Sequence, residues 1–146
     1  ITFAAVHLES HSDPAHRATQ TAVLLDDVEA FAGAEPIVIG GDFNTATVEH
    51  GAKGSLVPER LLDPVPFEPL FEVMAARGLA WEEVNTMGVA TQRTRPDGTP
   101  VPPFGRIDWL FTRGVAARAP ATVPAQDNAG MAISDHEVLA LTLDTR

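Results

Sequence analysis

"IVIGGDFNTAT", from Ile37 to Thr47, decides how this chain is read. An apolar run closes on two glycines, and an acid and an amide then stand two residues apart. With Pro36 in front, "PIVIGG" is a short apolar segment with breakers on both sides, the pattern of a strand covered on both faces. Successive side chains on a strand alternate between its faces, so Asp42 and Asn44 share one side if the extended conformation continues. Gly40 and Gly41 let another chain or a ligand approach the backbone closely. Gly-Asp and Asn-Thr are also ordinary turn chemistry, so this stretch alone leaves a site and a turn both open.

Upstream, "ITFAAVHL" (Ile1 to Leu8) is β-branched and apolar enough for a buried strand. Asp13-Pro14 then supplies a helix cap and a first-turn proline, and Ala18, Ala22, Leu25, Val28 and Ala32 recur at spacings of three and four until Gly33 ends the helix. Downstream, residues 45 to 69 read mostly as loop, with proline at 58, 64, 66 and 69. A short helix is predicted over Pro69 to Arg77, closed by Gly78. "RTRPDGTPVPPFG" (Arg93 to Gly105) is turn-rich and feeds "RIDWLFT" (Arg106 to Thr112), which alternates as a strand does. A further loop leads to "ISDHEVLALTL" (Ile133 to Leu143), whose later part is a last strand. The alternation of strand and helix is that of an α/β fold, without repeats or linkers.

The bulk numbers fit one domain over residues 1–146: the chain has 146 residues, 45% of them hydrophobic. A net charge of −10 disfavours a stand-alone binder of duplex nucleic acid. The absence of cysteine excludes disulfides, thiolate metal sites and a cysteine nucleophile. No stretch approaches the roughly 18 apolar residues of a membrane-spanning helix, and the compartment is not fixed. The chain opens on Ile1, inside what reads as a strand, and its natural start is expected to lie upstream.

Other strand ends repeat the polar pattern. Asp108 stands among large apolar residues in "RIDWLF", a costly place for a carboxylate without a partner. Asp135 and His136 stand together at the mouth of the last strand, where neighbouring side chains diverge. Asp108 is placed to hold the His136 ring in one tautomer and to favour its charged form. His7 closes the first strand; taken alone it reads as a hydrogen-bonded structural histidine.

These motifs, "VHLES", "GDFN", "GRIDWLF" and "SDH" in that order, resemble the endonuclease/exonuclease/phosphatase superfamily. The resemblance runs from His7 to His136 and corresponds to the second half of a family domain. It implies part of a four-layer α/β/β/α sandwich with mixed β-sheets. It also implies a metal-dependent phosphoester hydrolase, a phosphodiesterase, phosphatase or nuclease that activates water for in-line attack on phosphorus. By resemblance, His7 contacts the scissile phosphate, Asp42 and Asn44 align the water and the phosphoryl oxygens, and Asp108 orients His136. His136 activates water or stabilises transition-state charge. Asp135, with Asp42, is the implied carboxylate set for magnesium or manganese.

Two departures stand out. Glu137 and Val138 occupy positions where family members usually carry proline. The family's upstream asparagine or aspartate and its metal-binding glutamate lie before the point where this chain begins, so the chain alone is expected to bind metal weakly or not at all. Much of one sheet would also be missing, leaving a face to be covered by a partner or by self-association with a second copy. The alternative is therefore a catalytically inactive fragment or binding module of the same fold. For substrate, a small-molecule or lipid-headgroup phosphoester is slightly favoured over DNA. Arg93, Arg95 and Arg106 form a candidate phosphate contact, and Trp81 and Trp109 read as packing residues.

Overall fold

The computed structural model describes residues 1–10, 12–45, 58–94 and 100–144. Strand β1 (Thr2–His7) leads through helix α1 (Pro14–Ala32) to β2 (Ile37–Asp42). Helices α2 (Pro58–Leu62) and α3 (Leu70–Ala76) follow, then a single 3-10 turn at Glu82–Val84. Strands β3 (Gln92–Thr94), β4 (Pro100–Gly105), β5 (Asp108–Arg113), β6 (Ala116–Val123) and β7 (Val138–Asp144) complete the chain. The main sheet runs β1-β2-β5, with β1 parallel and β5 antiparallel to β2, so it is mixed. Two ribbons, β3-β4 and β6-β7, stand beside it.

Helix α1 forms where its sequence starts and stops it. The Asp13 side chain accepts from the His16 N–H at 2.8 Å, Pro14 opens the first turn, and Gly33 leaves helical geometry at φ 60°. Its inward stripe differs from the expected one: Arg17 and Thr21 are buried with Leu25, Val28 and Ala32, and Ala18 is only partly covered. Strand β2 is covered on both faces as expected, with Ile37, Val38 and Ile39 all at or below 7% exposure. Ile37 and Ile39 meet Leu25 and Val28 of α1, Phe71 and Met74 of α3, and Trp109 and Phe111 of β5 in one apolar cluster. Phe71 is its node, with ring centroids 4.8 Å from Trp109, 4.9 Å from Trp81 and 5.6 Å from Phe111. Both tryptophans thus pack, as expected.

The opposite face of the sheet carries His7, Asp42 and Asp108, and β7 reaches β5 from that side. Layers of helix, sheet and ribbon follow in order, the α/β sandwich expected from the motifs. At the sheet edge, Phe3 of β1 is 68% exposed.

Four elements run against the sequence expectation. Helix α2 lies inside the presumed loop, β3 and β4 pair within the turn-rich segment, and β6 precedes the last strand as its antiparallel partner.

Among the polar contacts sunk in the core is an ion pair. Arg17 (1% exposed) reaches across to Glu68 (2% exposed), donating from Nε at 3.2 Å and from Nη2 at 2.7 Å, while Nη1 donates to the Ser12 carbonyl at 2.6 Å. A buried pair of this kind adds little over apolar packing, whereas removing one partner strands a charge. Arg17→Met is therefore expected to lose about 3–5 kcal/mol in urea unfolding. Arg17→Met with Glu68→Leu should recover most of it, and equal losses in the single and double variants would contradict this account.

Candidate active site

The polar residues singled out in the sequence gather at one end of the main sheet. His7 ends β1, Asp42 ends β2, and Asp108 opens the antiparallel β5, so the three meet in register as His7↔Asp42 and Asp42↔Asp108. Residues directly opposite share a face. The His7 Nε2 atom lies 3.6 Å from Asp42 Oδ2. Across β5, His136 Nδ1 sits 3.1 and 3.0 Å from the two Asp108 oxygens. His7 is largely open to solvent, its side chain 74% exposed, while Asp42 and Asp108 are mostly covered at 16% and 13%.

This register depends on Gly41, whose φ is 145°. A Cβ there would lie 2.1 Å from the Val6 carbonyl oxygen, closer than any side chain tolerates. The glycine admits β1 itself. At Gly40 the added atom would meet only the movable end of Leu110 at 2.6 Å.

Asn44 corrects the extended reading of "GDFN". Strand β2 stops at Asp42, and Asn44 turns to φ 48°. Its backbone N–H donates to Asp42 Oδ1 at 2.8 Å and its side-chain amide donates to the Leu8 carbonyl at 2.7 Å. The turn chemistry and the polar site are thus the same feature: the Asn44 turn fixes one oxygen of Asp42 and ties the end of β1 to β2.

Other residues hold the site from behind, and the sequence did not flag them. Thr91 is fully buried, and its hydroxyl accepts from the N–H groups of Ile107 and Asp108, both at 3.1 Å. Its carbonyl accepts from Glu137 N–H at 2.7 Å, so one residue fixes both Asp108 and the segment carrying His136. The Glu137 carboxylate, in the place expected for proline, accepts from the Ala125 N–H at 2.9 Å. Thr45 donates to the Arg106 carbonyl and accepts from the Trp109 indole, at 2.7 and 2.9 Å. Threonines carry no motif of their own, so only the packed structure reveals these roles.

Arg106 does not face the site as a phosphate contact. It is fully buried, donates to Asn85 Oδ1 and the Thr86 and Val89 carbonyls, and lies over the Trp109 ring at 4.3 Å. Burial pulls its guanidinium down to about 10, partly opposed by the Asp108 charge. Arg95 lies outside the described residues, as does the side chain of Arg93.

The electrostatics follow from this crowding. The hydrogen bond that His136 donates to Asp108 raises its imidazole above the ordinary value; desolvation opposes it, and the charges of Asp108, Asp42 and Asp135 add to it. Burial raises the Asp42 carboxyl above the usual carboxylate range against the opposing Asn44 N–H, with the Asp108 charge adding. Asp135 is half-buried and close enough to act on His136 through its charge.

Magnesium or manganese asks for a nearly octahedral set of oxygen ligands. Here both Asp108 oxygens face His136, one Asp42 oxygen is taken by Asn44, and among the described residues no three His, Asp or Glu side chains gather about one point. By themselves these residues do not make a complete cation site.

A model of the endonuclease/exonuclease/phosphatase family matches residues 3–136. The chain belongs to that family. No curated protein sequence matches it. Among solved structures, a functionally unknown conserved protein from Enterococcus faecalis superposes with TM-score 0.63 and 17% identity, over 97% of this chain and 49% of its own. The endonuclease/exonuclease/phosphatase from Bacteroides vulgatus does so with TM-score 0.58 and 16% identity, over 98% of this chain and 48% of its own. A mannosyl-6-phosphatase from Bacteroides thetaiotaomicron reaches TM-score 0.55 and 14% identity, over 97% and 50%. The chain thus spans about half the length of these family-fold structures.

Because Asp108 raises the folded-state pKa of His136, the pair stabilises the fold fully below the unfolded histidine value of about 6.5. That contribution is lost as pH rises through the folded value. Asp108→Asn is expected to lower the His136 pKa in an imidazole NMR titration and to flatten this fall in stability. An unmoved titration would show that Asp108 does not set it.

Proposed function

We propose that this chain carries the water-activating side of a divalent-metal-dependent phosphoester hydrolase. The observation that supports it is the row His7, Asp42, Asp108, His136 at one sheet end, with the Nδ1 side of His136 turned to a covered carboxylate. Family membership adds to it.

With Nδ1–H held on Asp108, the Nε2 atom of neutral His136 is the acceptor for a proton. A water oxygen attacks phosphorus in line and its proton passes to Nε2. The ester P–O bond on the far side breaks, and the leaving oxygen takes a proton from the His7 ring or from solvent. Asp42, braced by the Asn44 turn, orients the water and the phosphoryl oxygens. Asp42 and Asp135 are the carboxylates that would hold a divalent cation, magnesium or manganese, which would supply positive charge against the phosphoryl oxygens. The proposed substrate is a small or lipid-like phosphoester rather than DNA.

A second reading is a phosphate-binding module without turnover; it is favoured by the lack, among the described residues, of three His, Asp or Glu side chains about one point. Hydrolysis of p-nitrophenyl phosphate, bis(p-nitrophenyl) phosphate and plasmid DNA, with magnesium or manganese and again with chelator, separates the two. Metal-dependent turnover falling by about 10²–10⁴-fold in His136→Ala is expected. Turnover unchanged in that variant removes His136 from the chemistry, and phosphate binding without turnover favours the module.

A further inference from the structure

Beside His7 the surface opens into a cleft of about 370 Å³, lined by His7, Leu8, Glu9, Ser10 and Gln20. That volume lies within the roughly 300–1,000 Å³ of small-molecule sites. The cleft curls round the end of β1, from the row of site residues to the flank of α1. Its position follows from the fold: β1 ends at His7, the Asn44 amide pins the Leu8 carbonyl, and the chain then turns toward α1.

The lining is chemically selective. Leu8 is its apolar member and is itself 7% exposed. Glu9 and Ser10 are exposed and bring a carboxylate and a hydroxyl. The Gln20 amide oxygen accepts from the Glu9 backbone N–H at 3.3 Å, which orients the side chain and turns its two-donor nitrogen away from that bond. Acceptors and donors are therefore side by side on a surface with little grease. A second anionic group would meet Glu9 on a chain of net charge −10, and an acyl chain would find no apolar wall. A group rich in hydroxyls, each both donor and acceptor, suits this lining.

Resting on the hydrolase reading above, we propose that the cleft binds the alcohol portion of the phosphoester, and that this portion is an uncharged polyhydroxylated group, a sugar or polyol. Gln20 donates to its hydroxyls and Glu9 accepts from them, while the phosphate reaches past His7 to Asp42 and His136. Glu9 and Gln20 are then specificity residues.

Two measurements on the whole chain test this and keep it apart from the hydrolase reading. The first is binding: 15N-labelled protein titrated with glucose 6-phosphate, glycerol 2-phosphate and inorganic phosphate. The sugar and polyol esters are expected to shift the Gln20 side-chain amide and the backbone amides of Glu9 and Ser10, and inorganic phosphate alone is expected to leave the Gln20 amide where it is. Absence of those shifts, or equal shifts with phosphate alone, overturns the proposal whether or not the chain turns over. The second is specificity: kcat/KM for glucose 6-phosphate relative to p-nitrophenyl phosphate, in wild type and Gln20→Leu. The ratio is expected to fall about tenfold, the worth of one lost hydrogen bond of about 1.4 kcal/mol, chiefly through KM. A ratio unchanged in Gln20→Leu, or a wild-type preference for a nucleotide or a phospholipid over the sugar ester, overturns it. If neither ester is hydrolysed yet the Gln20 shifts appear, the hydrolase reading fails and the cleft stands.

Discussion

Strand β1 lies against β2 so closely that the Val6 carbonyl oxygen fills the space a Cβ at residue 41 would need. That single steric demand fixes which residues face one another along the sheet. With Gly41 admitting Val6, His7 falls opposite Asp42, and the antiparallel β5 then sets Asp108 on the other side of the same carboxylate. Slipping the register by one residue would send these side chains to the helix-covered face, where Ile37, Ile39 and Phe111 pack. The aromatic cluster around Phe71 enforces the same choice from below, because it accepts only the apolar half of each strand.

Two carboxylates side by side on adjacent strands are an electrostatic load in an already acidic chain. The chain meets it locally. His136 covers Asp108, the Asn44 turn donates to Asp42, and His7 approaches from the open side. Arg106 adds positive charge from inside the core, held by Asn85 and two carbonyls and felt by Asp108 through its charge. The arginine is buried because its acceptors are built around it. At the far side of the sheet Glu29 bridges Arg77 and Arg113, tying α1 to the ends of α3 and β5.

What the sequence showed and what it hid follow from the range of the interactions. The caps of α1 and the apolar run of β2 are local signals, and both are where the residues say. The strand-end placing of His7, Asp42 and Asp108 was legible because isolated polar groups stand there at the borders of apolar runs. The inward turn of Arg17 was not legible, since its partner Glu68 is 51 residues away in a connecting segment. Arg106 misled for the same reason: a charge beside other arginines reads as surface until acceptors 17 to 21 residues earlier are packed around it. Strand β6, "AARAPATV", has alanine and proline where β-formers are expected, and it exists because β7 supplies its ladder. The turn at Asn44 was one of the two readings its residues left open, and only the packed structure, with Asn44 left-handed at φ 48°, decides for it.

The phosphoester site proposed for this chain, whose net charge is −10, needs a reason to attract an anion. At physiological salt, exposed charges are screened beyond about 8 Å, so the surface excess weighs little on a single phosphate once it stands between His7 and His136. A nucleic acid strand is different. Each added phosphate must lie on further surface, and binding along a groove is built from repeated lysine or arginine contacts. Of the arginines whose side chains are described, Arg17 and Arg106 are buried, Arg60 lies over the Phe67 ring, and Arg77, Arg113 and Arg118 are paired with carboxylates. That contrast is why a single phosphate with a neutral remainder is the substrate proposed for such a surface, with the polar cleft next to His7 proposed for the remainder.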